Sequence, residues 1–272
     1  VSKKSLFIAY PGSTFDGRDF IGHVIKSGAA AILYDKNNFE WKKEWKLPHL
    51  GIDKLKKRLP EIASEFYGNP SDSLRILGIT GTNGKTTSVQ WLSSCLNQLN
   101  RKTGFIGTTG YGEGANINST KNTTPDIFTI QKIIREFKEK KISNIAMEVS
   151  SHAIDQGRID NLKFDIKLLT NITRDHLDYH GNIENYIKCK SDFLLNKQTG
   201  EVIIVNNDDP IGHQIIEETN KKKTNLKILT FGIKTPSDLM AKDIIVSDDR
   251  TTFDLHHNKN CYKFDAPIFS RY

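Results

Sequence analysis

Apolar and polar positions alternate with two periods along this 272-residue chain. Short apolar runs bounded by Gly, Pro, Asn or Asp have the pattern of strands buried in a sheet. They predict strands over residues 6–10, 29–34, 75–79, 103–106, 143–147, 164–170, 201–205 and 226–231. Between them, apolar residues recur at helical spacing and predict helices over 85–99, 126–140, 183–195 and 210–219. Two further helices are predicted nearer the start. One carries Phe20, Val24 and Ile25 behind an Asp19 cap; the other carries Leu55, Leu59 and Ile62 behind Asp53. Thr124-Pro125-Asp126 reads as a helix start, with Thr as the cap, Pro at the first helical position and an acid in the first turn. Residues 243–267 have a different pattern. Ile244-Ile245-Val246, Thr251-Thr252-Phe253-Asp254-Leu255 and Tyr262-Lys263-Phe264 predict short antiparallel strands.

This alternation specifies an α/β protein with a mostly parallel sheet covered on both faces. Residues 1–68 read as β-α-β-α, and Tyr67-Gly68-Asn69-Pro70-Ser71 is a turn cluster suited to a linker. The expected organisation is a small N-terminal α/β domain over 1–70 and a second domain over 71–272 that ends in the antiparallel section. A chain of this length can bury a sizeable core.

Composition narrows the function classes. Apolar residues make up 37% and charged residues 26% of the chain, as in a soluble globular protein. No apolar run approaches a membrane span, and no apolar signal segment follows Val1-Ser2-Lys3-Lys4. Cys95, Cys189 and Cys261 are isolated thiols with no Cys-x-x-Cys pair, which argues against a disulfide framework or zinc cluster and fits a reducing cytoplasm. The net charge of +7 comes from 39 Lys/Arg against 32 Asp/Glu. It is spread through Lys-rich stretches such as Lys138-Glu139-Lys140-Lys141, which read as solvated helix faces. With no zinc finger present, no nucleic-acid partner is expected.

The chemistry concentrates after the 75–79 strand. Gly81-Thr82-Asn83-Gly84-Lys85-Thr86-Thr87 joins that strand to the 85–99 helix. A glycine loop between strand and helix forms a phosphate cradle, because backbone N–H groups and the helix N-terminus favour an anion. Lys85 is placed to reach terminal phosphates and the Thr86 hydroxyl to hold Mg²⁺, so the expected ligand is a nucleoside triphosphate. The spacing departs from the usual P-loop: Gly81 is too close to Gly84-Lys85 and Gly78 is too far.

Three further stretches carry candidate groups. Glu148 ends the 143–147 strand, where open α/β sheets place ligands; it is either a surface acid or a second oxygen for Mg²⁺. Asn171-Ile172-Thr173-Arg174-Asp175-His176-Leu177-Asp178-Tyr179-His180-Gly181 follows another buried strand and gathers His, Asp and Arg. These histidines read either as hydrogen-bond partners or as ligands. On the 183–195 helix, Lys190 shares the less polar side with Tyr186 and Leu194. It either snorkels to water or has a site role. A hydrolytic triad of Ser150, His152 and Asp155 is set aside, since Ser150 lacks a nucleophile-elbow setting.

Five motifs together resemble the Mur ligase family. They are Tyr10-Pro11-Gly12 through Asp16-Gly17; Gly81 to Thr87; Asn122-Thr123-Thr124-Pro125-Asp126; Glu148-Val149-Ser150-Ser151-His152 through Gln156-Gly157-Arg158; and Asp175-His176-Leu177-Asp178-Tyr179-His180-Gly181 leading to Tyr186 and Lys190. The resemblance covers nearly the whole chain, and the family's Gly-Thr-x-Gly-Lys-Thr loop accounts for the unusual glycine spacing. It implies an ATP- and Mg²⁺-dependent ligase of peptidoglycan synthesis. Such an enzyme adds a diamino acid, meso-diaminopimelate or L-lysine, to UDP-N-acetylmuramoyl-L-alanyl-D-glutamate through an acyl phosphate. By resemblance, Gly81, Thr82, Asn83, Gly84, Lys85, Thr86 and Thr87 hold ATP. Thr86, Glu148, His176 and a carbamylated Lys190 serve Mg²⁺. Ser13, Thr14 and Phe15 receive the uridine nucleotide, while Asn122, Thr123, Thr124, Ser150, Gln156 and Arg158 hold the muramoyl-peptide. Competing readings are a non-catalytic nucleotide- or UDP-sugar-binding module, a kinase, and a folylpolyglutamate-type ligase.

The family's Asp-Ser-Arg motif, expected just before residue 1, is absent. So are the adenine-contacting helix and the amino-acid-selecting domain expected after Tyr272. The resemblance therefore implies an internal portion of an enzyme, with little or no ligase activity by itself.

Overall fold

The computed structural model describes residues 4–12, 14–196, 202–221 and 226–267. It separates into two compact units, Val1–Ala63 and Ser64–Tyr272.

The first unit carries a three-stranded parallel sheet in the order β1 (Leu6–Ala9), β2 (Ala31–Asp35), β3 (His49–Ile52). The helix α1 (Ile21–Lys26) links β1 to β2, and α2 (Leu55–Phe66) starts after β3. Ala9, Ile21 and Ile32 are fully buried at its centre, with Trp41 and Trp45 packed against them. Both expected caps differ. Asp16, not Asp19, accepts from the Arg18 N–H and opens a 3-10 turn over Gly17–Phe20 that runs into α1. The Leu55 N–H at the start of α2 donates to Asp35, 20 residues earlier, whereas Asp53 pairs with Lys36 at 2.9 Å. Strand β3 was not predicted. It is short and half exposed, so its apolar pattern is weak.

In the second unit the strands are β4 (Arg75–Thr80), β5 (Thr103–Gly107), β6 (Gly110–Glu113), β7 (Asn116–Asn118), β8 (Asn144–Glu148) and β9 (Ile166–Leu169). They continue with β10 (Val202–Asn206), β11 (Lys227–Gly232), β12 (Leu239–Val246), β13 (Thr251–His257) and β14 (Asn260–Ala266). The helices are α3 (Lys85–Gln98), α4 (Ile127–Glu139), α5 (Ser151–Asp155), α6 (Leu177–His180), α7 (Ile183–Leu195) and α8 (Pro210–Lys221). The strands form one 11-stranded sheet in the order β14-β13-β12-β11-β10-β9-β4-β8-β5-β6-β7. From β5 through β12 the neighbours are parallel; β6–β7 on one side and β13–β14 on the other add antiparallel edges. The expected α/β class, the mostly parallel sheet and the antiparallel end section are all present.

The core explains the buried runs. β4 and β8 lie mid-sheet with Ile76, Ile79, Ile145, Ala146 and Met147 almost wholly buried. On α4, Ile127, Ile130, Ile133, Ile134 and Phe137 form the inward stripe. The cap of this helix lies two residues later than the expected Thr124, and the helix starts at Ile127. Asp126 is the cap, accepting from the Phe128 and Thr129 N–H groups at 3.1 Å. Thr124 is instead fully buried: its hydroxyl donates to the Glu148 carbonyl at 2.8 Å and accepts from the Ser150 N–H at 3.1 Å. That pair ties the loop before α4 to the end of β8.

Because β4, β5, β8 and β9 are parallel neighbours, their C-terminal ends open on one edge of the sheet. The loops carrying Gly81, Thr108, Ser150 and Asn171 leave from that edge.

Candidate active site

The glycine loop follows β4 without a break. Gly81 has φ +144° and a Cβ there would fall on Thr170 and the Asn171 backbone, while Gly84 has φ +81°. Both positions therefore require glycine. The Thr82 N–H donates to the Asn171 carbonyl, and the Asn83 N–H to the Asn171 side chain at 3.0 Å. The loop is thus fastened to the exit of β9, and these two N–H groups are committed to protein acceptors. The first-turn N–H groups of α3 have no intrahelical acceptor, as at every helix start. The Lys85 ammonium folds over the loop to the Gly81 and Thr82 carbonyls at 2.9 and 2.7 Å. Burial lowers its pKa, opposed by Glu148 and Asp175.

A cavity of about 320 Å³ opens over this loop. Of the predicted site residues, Gly81 to Thr87, Thr123, Glu148, Ser150, His176 and Lys190 line it. Glu148, 1% exposed, takes the Thr86 hydroxyl at 3.0 Å. Its other oxygen takes the Thr108 N–H at 2.8 Å. Gly107 makes room for this carboxylate, since a Cβ there would overlap it.

Lys190 is 1% exposed and does not snorkel. Its Nζ donates to the Gly81 carbonyl at 3.0 Å and to the Thr80 hydroxyl at 3.3 Å, and lies 4.8 Å from the Tyr186 ring centre. Burial, helped by the Lys85 charge, pushes its pKa down to about 7. A lysine so placed has a large neutral-amine fraction at neutral pH.

His176 reaches the cavity from the start of α6, in a left-handed backbone conformation with φ 51°. Its ring packs edge-on to His152, with centroids 4.8 Å apart. Among the described residues no three His, Cys, Asp or Glu side chains converge in a metal-binding group. The oxygen donors that do converge are Thr86 and Glu148, a chemistry suited to Mg²⁺. A protonated Lys190 would repel a cation.

Thr124, Gln156 and Arg158 lie outside this cavity but within one network. Arg158 donates to the Gln156 side chain and to the Thr124 carbonyl at 2.9 Å, and Gln156 donates to the Tyr179 hydroxyl at 3.1 Å. Asn122 sits in the same loop, and its carbonyl accepts from Thr120. In the first unit Thr14 and Phe15 are exposed on the loop after β1, Phe15 at 71%; Ser13 lies outside the described residues. The discounted triad is not assembled: the Ser150 hydroxyl caps α5, and Asp155 takes the Tyr179 hydroxyl at 2.7 Å.

Sequence reasoning missed Thr108 and the role of Tyr186. The Thr108 hydroxyl bridges Glu148 and Thr123, at 3.2 and 3.1 Å. The signal was its place just past a buried strand, in Gly107-Thr108-Thr109-Gly110. Tyr186 is buried with its hydroxyl 3.1 Å from the Thr82 hydroxyl, so α7 touches the loop itself. A larger open groove of about 1140 Å³ beside α7 contains none of the predicted site residues, and its lining mixes Asp155, Asp160 and Asp192 with Lys163 and Lys188.

Comparison with known proteins identifies the family. Residues 1–67 match the Mur ligase family, catalytic domain, and residues 79–272 the Mur ligase middle domain. UDP-N-acetylmuramoyl-L-alanyl-D-glutamate--2,6-diaminopimelate ligase of Coxiella burnetii is 41% identical over 230 residues, covering 84% of this chain and 47% of the relative. The ligase of the same name from Bacillus velezensis is 35% identical over 280 residues, 100% of this chain and 55% of the relative. A solved structure of a protein with that name superposes with a TM-score of 0.83 at 25% identity, over 98% of this chain and 54% of the other. The MurF ligase of Thermotoga maritima, solved with ADP, shares the fold at a TM-score of 0.63 and 21% identity, over 97% and 56%. The chain spans about half the length of the curated relatives it matches. On these matches and this geometry, the chain belongs to the Mur ligase family.

Proposed function

We propose that this chain supplies the nucleotide and acyl-activating portion of an ATP-dependent ligase that extends UDP-N-acetylmuramoyl-L-alanyl-D-glutamate by a diamino acid. The relatives' names point to 2,6-diaminopimelate as that amino acid. The observation that carries the reading is the convergence of Lys85, Thr86, Glu148 and Lys190 on one cavity over the glycine loop. The C-terminal edge of β4, β8 and β9 is where such sheets bind ligands.

In this reading the first turn of α3 and Lys85 hold the β- and γ-phosphates. A substrate carboxylate oxygen attacks the γ-phosphorus, ADP leaves, and an acyl phosphate forms. The amine of the incoming amino acid then attacks the acyl carbon, inorganic phosphate leaves with its bonding pair, and the amine gives up a proton. Activation is needed because a free carboxylate is a poor electrophile. Thr123, Thr124, Ser150, Gln156 and Arg158, with Asn122, orient the peptide carboxylate. Ser13, Thr14 and Phe15 receive the uridine end.

Thr86 and Glu148 would hold Mg²⁺, which when bound neutralises developing phosphate charge. His176 is proposed at its margin. Lys190 fits as a carbamate: its neutral amine adds to CO₂, a proton is released, and the cation becomes a carboxylate-like oxygen donor. That conversion also turns the repulsion from Lys85 into attraction.

Calorimetry with a non-hydrolysable ATP analogue and Mg²⁺ tests the site. Lys85→Ala should weaken binding about 10- to 100-fold, the worth of a charge-assisted phosphate contact. Unchanged affinity would remove the loop from the site. UDP-N-acetylmuramoyl-dipeptide should bind and folate should not; the reverse would favour a folylpolyglutamate-type ligase.

A further inference from the structure

A second buried lysine lies outside the cavity. Lys167, in the middle of β9, is 0% exposed. Its ammonium donates to the Phe193 carbonyl at 2.7 Å and the Asn196 carbonyl at 2.9 Å. Both carbonyls are at the C-terminal end of α7, where the negative end of the helix dipole favours a cation. The same ammonium lies 5.1 Å from the Phe193 ring centre. Among the described residues no Asp or Glu forms an ion pair with it; the two helix-end carbonyls are its acceptors.

Lys167 and Lys190 tie α7 to the central strands from opposite directions. Lys190 reaches from α7 to the end of β4, at Thr80 and Gly81. Lys167 reaches from the β4–β9 ladder, opposite Gly78, back to the end of α7. Between the two, a Cβ on Gly78 would come within 2.7–2.9 Å of Phe164 and Phe193, so α7 sits directly on β4. Rigid helix geometry then couples the two contacts: a shift of the Phe193 end along the axis moves Lys190 by the same amount.

We infer that Lys167 is a positioning residue for Lys190, a clasp that fixes the depth of α7 against the nucleotide loop. The inference rests on the proposed role of Lys190. Once Lys190 carries a carbamate, its head is no longer an ammonium donating to Gly81. The Lys167 bonds then hold α7 to the sheet together with the Tyr186–Thr82 hydroxyl contact and the Phe193 packing on Gly78.

The test is carbamate occupancy at Lys190, read by carbon-13 NMR in labelled bicarbonate, with Lys190→Ala marking the signal. Lys167→Met should reduce occupancy about 10- to 100-fold, as loss of a group supporting a ligand does. Lys167→Arg should restore most of it. Phe193→Leu is the control: it loosens the same packing but keeps the ammonium–carbonyl bonds, and should stay near wild type. Wild-type occupancy in Lys167→Met, or an equal loss in Phe193→Leu, overturns the inference. Should Lys167→Met fail to fold, Lys167→Gln, which keeps a donor without the charge, carries the same comparison. If wild type has no carbamate, the proposed role of Lys190 fails. The clasp is then judged from crystal structures: the Lys190 Nζ to Gly81 carbonyl separation should lengthen by about 1 Å in Lys167→Met, a displacement that matters for a preorganised site. An unchanged separation would overturn it.

Discussion

Two buried lysines set the electrostatics of the second unit. Burial lowers Lys190 to about 7 and Lys167 to about 8, below the ordinary lysine value of 10.5. A lowered lysine pKa means that the unfolded chain binds more protons than the folded one between the two values. Stability therefore rises with pH across that window. In CO₂-free buffer, unfolding free energy should increase from pH 7 to pH 9, and Lys190→Met should flatten the slope. Urea denaturation at both pH values measures this; a flat wild-type profile would show that both ammonium groups are fully compensated. The Thr124 hydroxyl gives a second prediction at this scale. It is donor to Glu148 and acceptor from Ser150 in a fully buried place. Thr124→Val keeps the shape and unpairs both backbone groups, at an expected cost of about 1–3 kcal/mol. Chemical denaturation would read it, and a loss near zero would mean that water replaces the hydroxyl.

Elements were legible where one period dominates a long stretch. The predicted helix over 183–195 coincides with α7, and the predicted strands over 75–79 and 143–147 fall on β4 and β8. Those segments are buried on a consistent face, so their pattern records the fold directly. Short or half-exposed elements left little trace: β3, the β6–β7 hairpin, and the one-turn helices α5 and α6. Caps failed for a related reason. Asp35 caps α2 from across the sheet, and Thr124 is drawn to Glu148 by tertiary contact, so neither can be read from neighbours in sequence. The loop residues Gly81 to Thr87 and Glu148 were legible because their chemistry depends on local order after a strand. Thr108 and Lys167 were not, since their meaning comes from partners tens of residues away. The β4–α7 contact makes this concrete. Gly78→Ala would press a methyl into Phe164 and Phe193 and should cost about 1–3 kcal/mol through overpacking. The same change at exposed Gly114 meets no atom within 4 Å, although its positive φ adds a smaller backbone penalty. Comparing the two melting temperatures separates packing from backbone strain.

At the scale of the molecule, the division into Val1–Ala63 and Ser64–Tyr272 assigns the proposed chemistry unequally. Every residue lining the cavity over the glycine loop falls between Gly81 and Lys190. The elements that place them, β4, α3, β5, β8, β9 and α7, belong to the second unit. The first unit contributes the exposed Thr14 and Phe15 loop, proposed for the uridine end of the other substrate. Units with their own cores fold and bind independently when their sites are self-contained, and the first unit has its own centre at Ala9, Ile21 and Ile32. A chain beginning at Gly68, past the end of α2, should therefore bind the ATP analogue within about threefold of the 272-residue chain, a difference of under 1 kcal/mol. It should lose affinity for the UDP-linked dipeptide by a far larger factor, because it lacks Thr14 and Phe15, the residues proposed for the uridine end. Titration of both chains with both ligands decides the point. Equal loss of the two would mean that the glycine loop depends on the first unit for its shape. Retention of both would place the uridine end outside the Thr14–Phe15 loop and leave that loop without its proposed role.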